Sequence, residues 1–236
     1  MSIPAIYYIP HQDDETLSMA VDILRHLAAG REVICVLYTD GTGSAVQNIL
    51  NGQQYSSYWG GYHNPALEGY APLSDQAFAE ARNREFRSAL GQLGVKPENI
   101  HIRPLNANGG TLSKDTIKAL IQEYIDTYGV ASHKTMSYYD TSDSHKWAGQ
   151  ALLELYNEGA TSDARFFIAR SDWNLSRPGS VYTATEAEKI KIKRAARVYE
   201  AWNPVSGAFA IGYHSVSSQF NAMLANPQNK IHKPNE

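Results

Sequence analysis

Within six residues, Pro10-His11-Gln12-Asp13-Asp14-Glu15, the chain places one imidazole and three carboxylates. Anions gathered beside an imidazole suit a divalent cation. A phosphate cradle would need glycines whose backbone amides approach an anion, and none stands here. Zinc takes nitrogen and oxygen ligands, with three protein ligands and an open position in catalytic sites. His11 and Asp14, three apart at a strand-to-helix corner, can share one ion. The best candidate for the third ligand is His145. It follows Tyr138-Tyr139-Asp140-Thr141-Ser142-Asp143-Ser144, a strand ending in a polar turn. His145, Ala148 and Leu152 fall on one helical stripe, so the ring should face inward. Two histidines and an aspartate suit Zn2+ and also Fe2+ or another divalent ion. Plainer readings compete with this one. A lone histidine near a strand end is usually a hydrogen-bonded structural residue. Acids near a helix N-terminus are favoured by about 0.3–1 kcal/mol each. Capping, however, needs one acid rather than three, and has no use for His11. A serine nucleophile lacks its Gly-x-Ser-x-Gly elbow, and the single cysteine, Cys35, lies inside an apolar strand.

These residues need a scaffold that brings strand ends together. Ala5–Ile9 reads as a buried strand and Thr16–Ala29 as a helix with Leu17, Val21, Leu24 and Leu27 on one face. Glu32–Tyr38 is apolar nearly throughout, as a central parallel strand should be. Residues 40–73 then break the pattern. This aromatic and Gly-rich insert is too long for a simple connection, which predicts a functional loop or lid. Its Tyr55, Tyr58, Trp59, Tyr62, His63 and Tyr70 could stack on a sugar ring or an apolar aglycone as one wall of a substrate pocket. A self-packed surface loop is the plain alternative. Beyond it the chain alternates: helix 74–93, strand 100–103, helix 113–128, strand 135–139, helix 144–156 and strand 165–169. A final helix, 185–202, is opened by the capping box Thr185-Glu186-Ala187-Glu188. From about Asn203 the tail reads as loop-rich, with frayed last residues. The rhythm predicts an α/β fold: one domain over residues 1–236, a mostly parallel doubly wound sheet with helices on both faces.

Bulk properties narrow the partners. Of 236 residues, 43% are apolar, enough to fill a core without disulfides. One cysteine favours a reducing compartment. Met1-Ser2-Ile3-Pro4 has no basic segment leading into an apolar one, so no signal peptide is expected. No apolar run approaches the roughly 20 residues of a membrane span. The expected location is the cytoplasm. The formal net charge is −3, and without a basic stripe nucleic acid is not an expected partner. The basic cluster Lys189-Ile190-Lys191-Ile192-Lys193-Arg194 reads as a solvated helix face. A homo-oligomer is compatible with all of this.

Pro10–Glu15 resembles the Pro/Ala-His-Pro-Asp-Asp-Glu signature of the GlcNAc-phosphatidylinositol de-N-acetylase family, also called PIG-L or LmbE-like. Further segments agree in order. Tyr38-Thr39-Asp40-Gly41-Thr42-Gly43 resembles the Thr-x-Gly turn after the second strand. Arg82-Asn83-Arg84-Glu85 with Leu93-Gly94-Val95 resembles Arg-x-x-Glu…Leu-Gly-Val. Asp140 to His145 resembles Asp-x-His-Pro-Asp-His, and Lys193 to Tyr199 resembles Lys-x-x-Ala-x-x-x-Tyr. The resemblance covers about residues 5–200, apart from 39–73. It implies a Rossmann-like sheet and a zinc-dependent deacetylase acting on a small-molecule substrate, an N-acetylglucosamine-type conjugate. It implies His11, Asp14 and His145 as metal ligands, metal-bound water as nucleophile, Asp13 as general base and Arg82 as a sugar-binding residue.

Three departures stand out. Gln12 replaces a proline. Asn106 sits where a substrate-binding Asp is common. Ser142 replaces the first His of the second motif, which in the family stabilises the oxyanion or protonates the leaving amine. Loss of such a donor costs about 10²–10³ in rate if nothing replaces it. His214, in Gly212-Tyr213-His214-Ser215, is the preferred replacement, ahead of His133 and of Asp13 returning its own proton. Tyr138 or Tyr139 could serve the oxyanion. Ser142 also keeps open two other functions: hydrolysis of a non-sugar amide on the same fold, and metal-retaining binding with little turnover.

Overall fold

The computed structural model describes residues 3–236; Met1 and Ser2, part of the segment read for a signal peptide, lie outside the described residues. Among the described residues nine strands form: β1 (Ala5–Ile9), β2 (Val33–Leu37), β3 (Ile100–Ile102), β4 (Ser132–Met136), β5 (Ala164–Phe167), β6 (Ser180–Thr183), β7 (Trp202–Asn203), β8 (Ala208–Phe209) and β9 (Gln228–His232). The α-helices are α1 (Ala20–Ala28), α2 (Val46–Leu50), α3 (Asp75–Leu93), α4 (Lys114–Tyr128), α5 (Asp143–Asn157), α6 (Glu186–Val198) and α7 (Ile211–Ala225). Seven strands make one sheet in the order β3-β2-β1-β4-β5-β9-β6. β1 to β5 are mutually parallel, and β9 runs antiparallel between β5 and β6.

β1 and β2 are buried at every position because both sheet faces are covered. Their alternate side chains feed two cores. Tyr7, Ile9, Cys35 and Leu37 face a layer containing Leu24, Leu90, Ile192 and Phe220. Ile6, Tyr8, Ile34 and Val36 face Ile121, Tyr124, Ala151 and Leu152. Strand order reverses beside β1: β2 and β3 lie on one side, β4 and β5 on the other. Such a switch point is where open α/β sheets leave a crevice beyond the strand ends. The segments following β1 and β4 are those that carry His11–Glu15 and Asp140–His145.

Several expectations are corrected. The tail beyond Asn203 is ordered: α7 packs on α6, and β9 enters the sheet. Gln-Asn-Lys-Ile-His has no apolar alternation to announce a strand. It is held instead by Asn229, fully buried, whose Oδ1 accepts from the Val21 and Asp22 amides. The fourth strand ends at Met136, so Tyr138 and Tyr139 belong to the turn after it. The helix expected over 185–202 stops at Val198, and Trp202 pairs with Phe209 in a two-stranded hairpin. The insert contains α2. The first helix opens with a buried π-helical turn, Glu15–Met19, before α1.

Candidate metal centre and active site

After Ile9 the chain turns sharply. The His11 amide donates to Asp14 Oδ2 (3.1 Å), and the Asp14 amide to the His11 carbonyl (3.3 Å). Asp13 adopts φ +138°, a conformation that non-glycine residues rarely occupy and that costs about 1–3 kcal/mol. Glu15 holds it there. Its Oε2 accepts from the Asp13 amide (3.0 Å), while Oε1 accepts from Thr16 Oγ1 (2.6 Å) and Tyr199 Oη (2.7 Å). Glu15 is fully buried, and burial raises its pKa to about 7. The twist separates the two adjacent carboxylates. Asp14 joins the histidines, and Asp13 lines the cavity with no protein donor on its carboxylate among the described residues.

His145 arrives on the first turn of α5. That helix packs tightly against the turn after β4: a Cβ at Gly149 would lie 2.2 Å from the Tyr138 backbone nitrogen. Asp140 Oδ2 lies 3.0 Å from His145 Nδ1. Accepting the Nδ1–H hydrogen bond there fixes the tautomer and leaves Nε2 free as a ligand atom. His145 Nε2 stands 3.0 Å from His11 Nδ1 and 3.1 Å from Asp14 Oδ2, and His11 Nδ1 is 3.4 Å from that oxygen. Ligand atoms at about 2.0–2.1 Å around a tetrahedral ion would be about 3.3 Å apart. The triangle therefore fits one small divalent cation, and these atoms all lie within 4.8 Å of one another. The electrostatics agree. Burial would raise Asp14, but His145 and His11 hold it well below the usual carboxylate range. Burial would depress His145, yet Asp14 and Asp140 raise it to about 10. Burial lowers His11. Burial and the neighbouring Asp14 push Asp13 well up.

These groups open onto a cavity of about 490 Å³. Its wall includes Arg82, Asn106, Ser142, Ser144, Arg170 and Gln219, and no Phe, Trp or Tyr. A family model described as PIG-L, GlcNAc-PI de-N-acetylase, matches residues 6–156, the span that carries all three candidate ligands.

The chain belongs to the PIG-L family.

Its Rossmann-like fold is that of solved LmbE/PIG-L deacetylases. A deacetylase triple mutant from the teicoplanin biosynthetic pathway superposes with TM-score 0.65 at 14% identity, covering 99% of each chain. The N,N'-diacetylchitobiose deacetylase of Pyrococcus horikoshii gives 0.57 at 16%, over 98% of this chain and 84% of that one. A 4-carboxy-2-hydroxymuconate hydratase of Pseudomonas putida KT2440 gives 0.59 at 13%, over 100% and 98%. No curated protein matches in sequence. Membership in the PIG-L family supports a metal-dependent hydrolase acting on amide bonds, while the hydratase shows that the fold alone does not choose the reaction.

Arg82, Asn106 and Ser142 line the cavity. Arg82 is buried and braces two loops, donating from Nη1 to the Gly41 carbonyl (3.0 Å) and from Nη2 to that of Gln12 (3.2 Å); its Nε has no partner. Only glycine fits at 41, where φ is +74° and a Cβ would lie 2.7 Å from Arg82 Nη1. Asn106 makes a two-way pair with Asp40, accepting from its amide (3.0 Å) and donating to its Oδ1 (2.7 Å). Ser142 precedes α5, its amide donating to Asp140 Oδ1 and its Oγ 3.0 Å from Ser144 Oγ.

His214, Tyr139 and His133 do not reach this cavity. His214 lies on α7, with Nδ1 2.8 Å from Ser56 Oγ and Nε2 3.3 Å from His63 Nε2. Burial, then His63, lowers it to about 4, so at neutral pH it is the neutral imidazole and not the imidazolium acid. Tyr139 turns outward and donates to the Glu236 carbonyl (2.6 Å). His133 is buried in mid-strand against Tyr8, Nδ1 to Oη 2.9 Å. The insert's aromatic rings also miss the wall; of residues 40–73, only Gly41, Gly43 and Ser44 line it. Trp59, His63 and Trp202 stack on one another instead. Sequence reasoning assigned no role to Asp140 or Tyr199. Asp140, five residues before His145, was the legible one. The contact of Tyr199 with Glu15 spans 184 positions and leaves no local signal.

Proposed function

We propose that the chain is a zinc-dependent N-deacetylase of a small N-acetylated amino-sugar conjugate. The observation that carries this reading is the convergence of His11, Asp14 and His145 beside an unpartnered Asp13 carboxylate in a polar cavity. His11, Asp14 and His145 would hold the ion, which when bound polarises the amide carbonyl and acidifies water. Asp13 takes the proton of the attacking water and, as the C–N bond breaks, returns it to the departing amine. This return path is favoured because His214 and His133 are committed elsewhere. Asp140 keeps His145 in its ligand tautomer. Glu15 and Tyr199 hold the backbone from which Asp13 projects. Arg82, Asn106 and Ser142 offer fixed polar groups to sugar hydroxyls. The buried Cys35 thiol suits a reducing compartment, and we place the enzyme in the cytoplasm.

The test reconstitutes metal-stripped protein with Zn2+ or Fe2+ and measures acetate release from a panel of N-acetylglucosamine conjugates. Metal-dependent release that disappears in Asp13→Ala supports the reading. Full turnover by Asp13→Ala overturns the mechanism. One observation favours a second reading: Ser142 stands where family members carry an imidazole. Hydrolysis of simple amides, with every N-acetyl sugar inert, would assign the chain to non-sugar amides.

A further inference from the structure

A second cavity of about 520 Å³ shares no wall residue with the first. It lies against the C-terminal half of α1, the strands β4 and β5, and the β6–β9 pair. Its wall carries five cationic side chains, Arg25, Arg31, Lys134, Arg165 and Lys233, against two acidic ones, Asp22 and Glu236. That excess of three positive charges stands in a chain of formal net charge −3. Such a local reversal focuses a positive field in a concave, low-dielectric setting.

Asp22, Asp163 and Glu188 offset part of this charge, and Arg31 and Lys233 are left without an ion pair among the described residues. Lys134 is buried, with Nζ 3.1 Å from Asp22 Oδ2. The same oxygen also accepts from Tyr7 Oη at 2.7 Å and lies 3.6 Å from His26 Nε2. Arg31 has no carboxylate partner among the described residues; Nε donates to the Ile3 carbonyl (2.5 Å) and Nη1 to His26 Nδ1 (3.0 Å). The Lys233 ammonium has none among the described residues either, although the Lys233 amide donates to Glu236 Oε2 (2.9 Å). Arg25 reaches Glu188 only at 3.9 Å, while Arg165 pairs with Asp163 at 2.9 Å. Burial, then Lys134, lowers His26 to about 4, leaving it a neutral hydrogen-bonding group beside the cations. A multiply charged oxyanion would relieve the repulsion and answer the fork of Arg31. The volume leaves room for an organic body beside it, bounded by Tyr182 and Ile231.

We infer that this second cavity binds a small phosphate monoester, the phosphate facing Arg31, Lys134, Arg165 and Lys233. The inference is independent of the chemistry at the first cavity. Isothermal titration of the full, metal-loaded chain with glycerol 3-phosphate tests it, with inorganic phosphate as the bare probe and glycerol as the neutral control. Saturable binding of one phosphate ester per chain is expected, weakened at least tenfold in Arg31→Ala/Lys233→Ala and kept in Asp14→Ala. Circular dichroism and thermal unfolding check that the variants fold, and Arg165→Ala gives a second, milder perturbation. Unchanged affinity in the double variant, loss of binding in folded Asp14→Ala, or no saturation up to about 10 mM would overturn the site. Vesicles of phosphatidate and of phosphatidylcholine separate the sources. Binding to phosphatidate alone, with soluble ester inert, overturns the small-molecule form and assigns the phosphate to a lipid headgroup.

Discussion

Two histidine pairs lie in this protein at nearly the same spacing, yet their surroundings give them opposite characters. His11 and His145 approach to 3.0 Å, His63 and His214 to 3.3 Å. The first pair is flanked by Asp14 and Asp140 and opens onto a cavity. The second sits in an aromatic box of Tyr58, Trp59 and Trp202, tied to Ser56 on one side and Glu68 on the other. Two carboxylates raise His145 to about 10, whereas burial and the neighbouring His63 lower His214 to about 4. Paired rings therefore do not identify a metal site. What marks the first pair as the candidate metal site is two buried carboxylates that would compensate a cation, together with its open side on the cavity.

The sharpest attack on this contrast removes one carboxylate. Asp14→Ala should abolish stoichiometric metal uptake, measured by metal analysis after dialysis. Its effect should exceed the about 10–100-fold weakening that changes behind a ligand produce. Asp13→Ala should retain the metal and lose about 10²–10⁴ in kcat, the range of a general base. Asp140→Asn should keep the fold and weaken metal affinity about 10–100-fold, read by competition with a chelator. His214→Ala should leave metal content and acetate release near wild type while costing about 1–3 kcal/mol of stability in urea, because His63 and Ser56 lose a buried partner. A hundredfold loss of turnover there would erase the distinction between the pairs.

The smallest effect is in pH dependence. His214 and His133 titrate near 4 when folded, against 6.5 ordinarily. Between these values the unfolded chain binds more protons, so stability should fall as pH drops from about 6.5 towards 4. His145 in metal-free protein has the opposite sign: its contribution is complete below 6.5 and is lost as pH rises through about 10. Urea midpoints across pH, for metal-free wild type and for His214→Gln, should show the acid-side slope decrease in the variant alone.

Local sequence was a good guide wherever function sits close to a chain turn. Pro10–Glu15, its strand-to-helix setting and the inward stripe of His145 were all legible, since a period of 2 or 3.6 and a capping pattern report what lies within a few residues. It misled at β9 and α7, whose polar residues are ordered by partners far along the chain, Asn229 by α1 and the α7 amides by Glu85. It misled again at His214, because an imidazole in an irregular-looking tail reads the same whether it faces a cavity or an aromatic box. By itself, then, the sequence determined the parallel α/β scaffold and pointed to the candidate metal-ligand set and the neighbouring carboxylate. The tertiary structure alone decided how Asp13 and Asp14 are held apart, by Glu15 and Tyr199, and that the insert's rings pack on one another instead of lining the cavity. Those outcomes depend on contacts between residues far apart in the chain, and on which surfaces are left for water once such contacts are made.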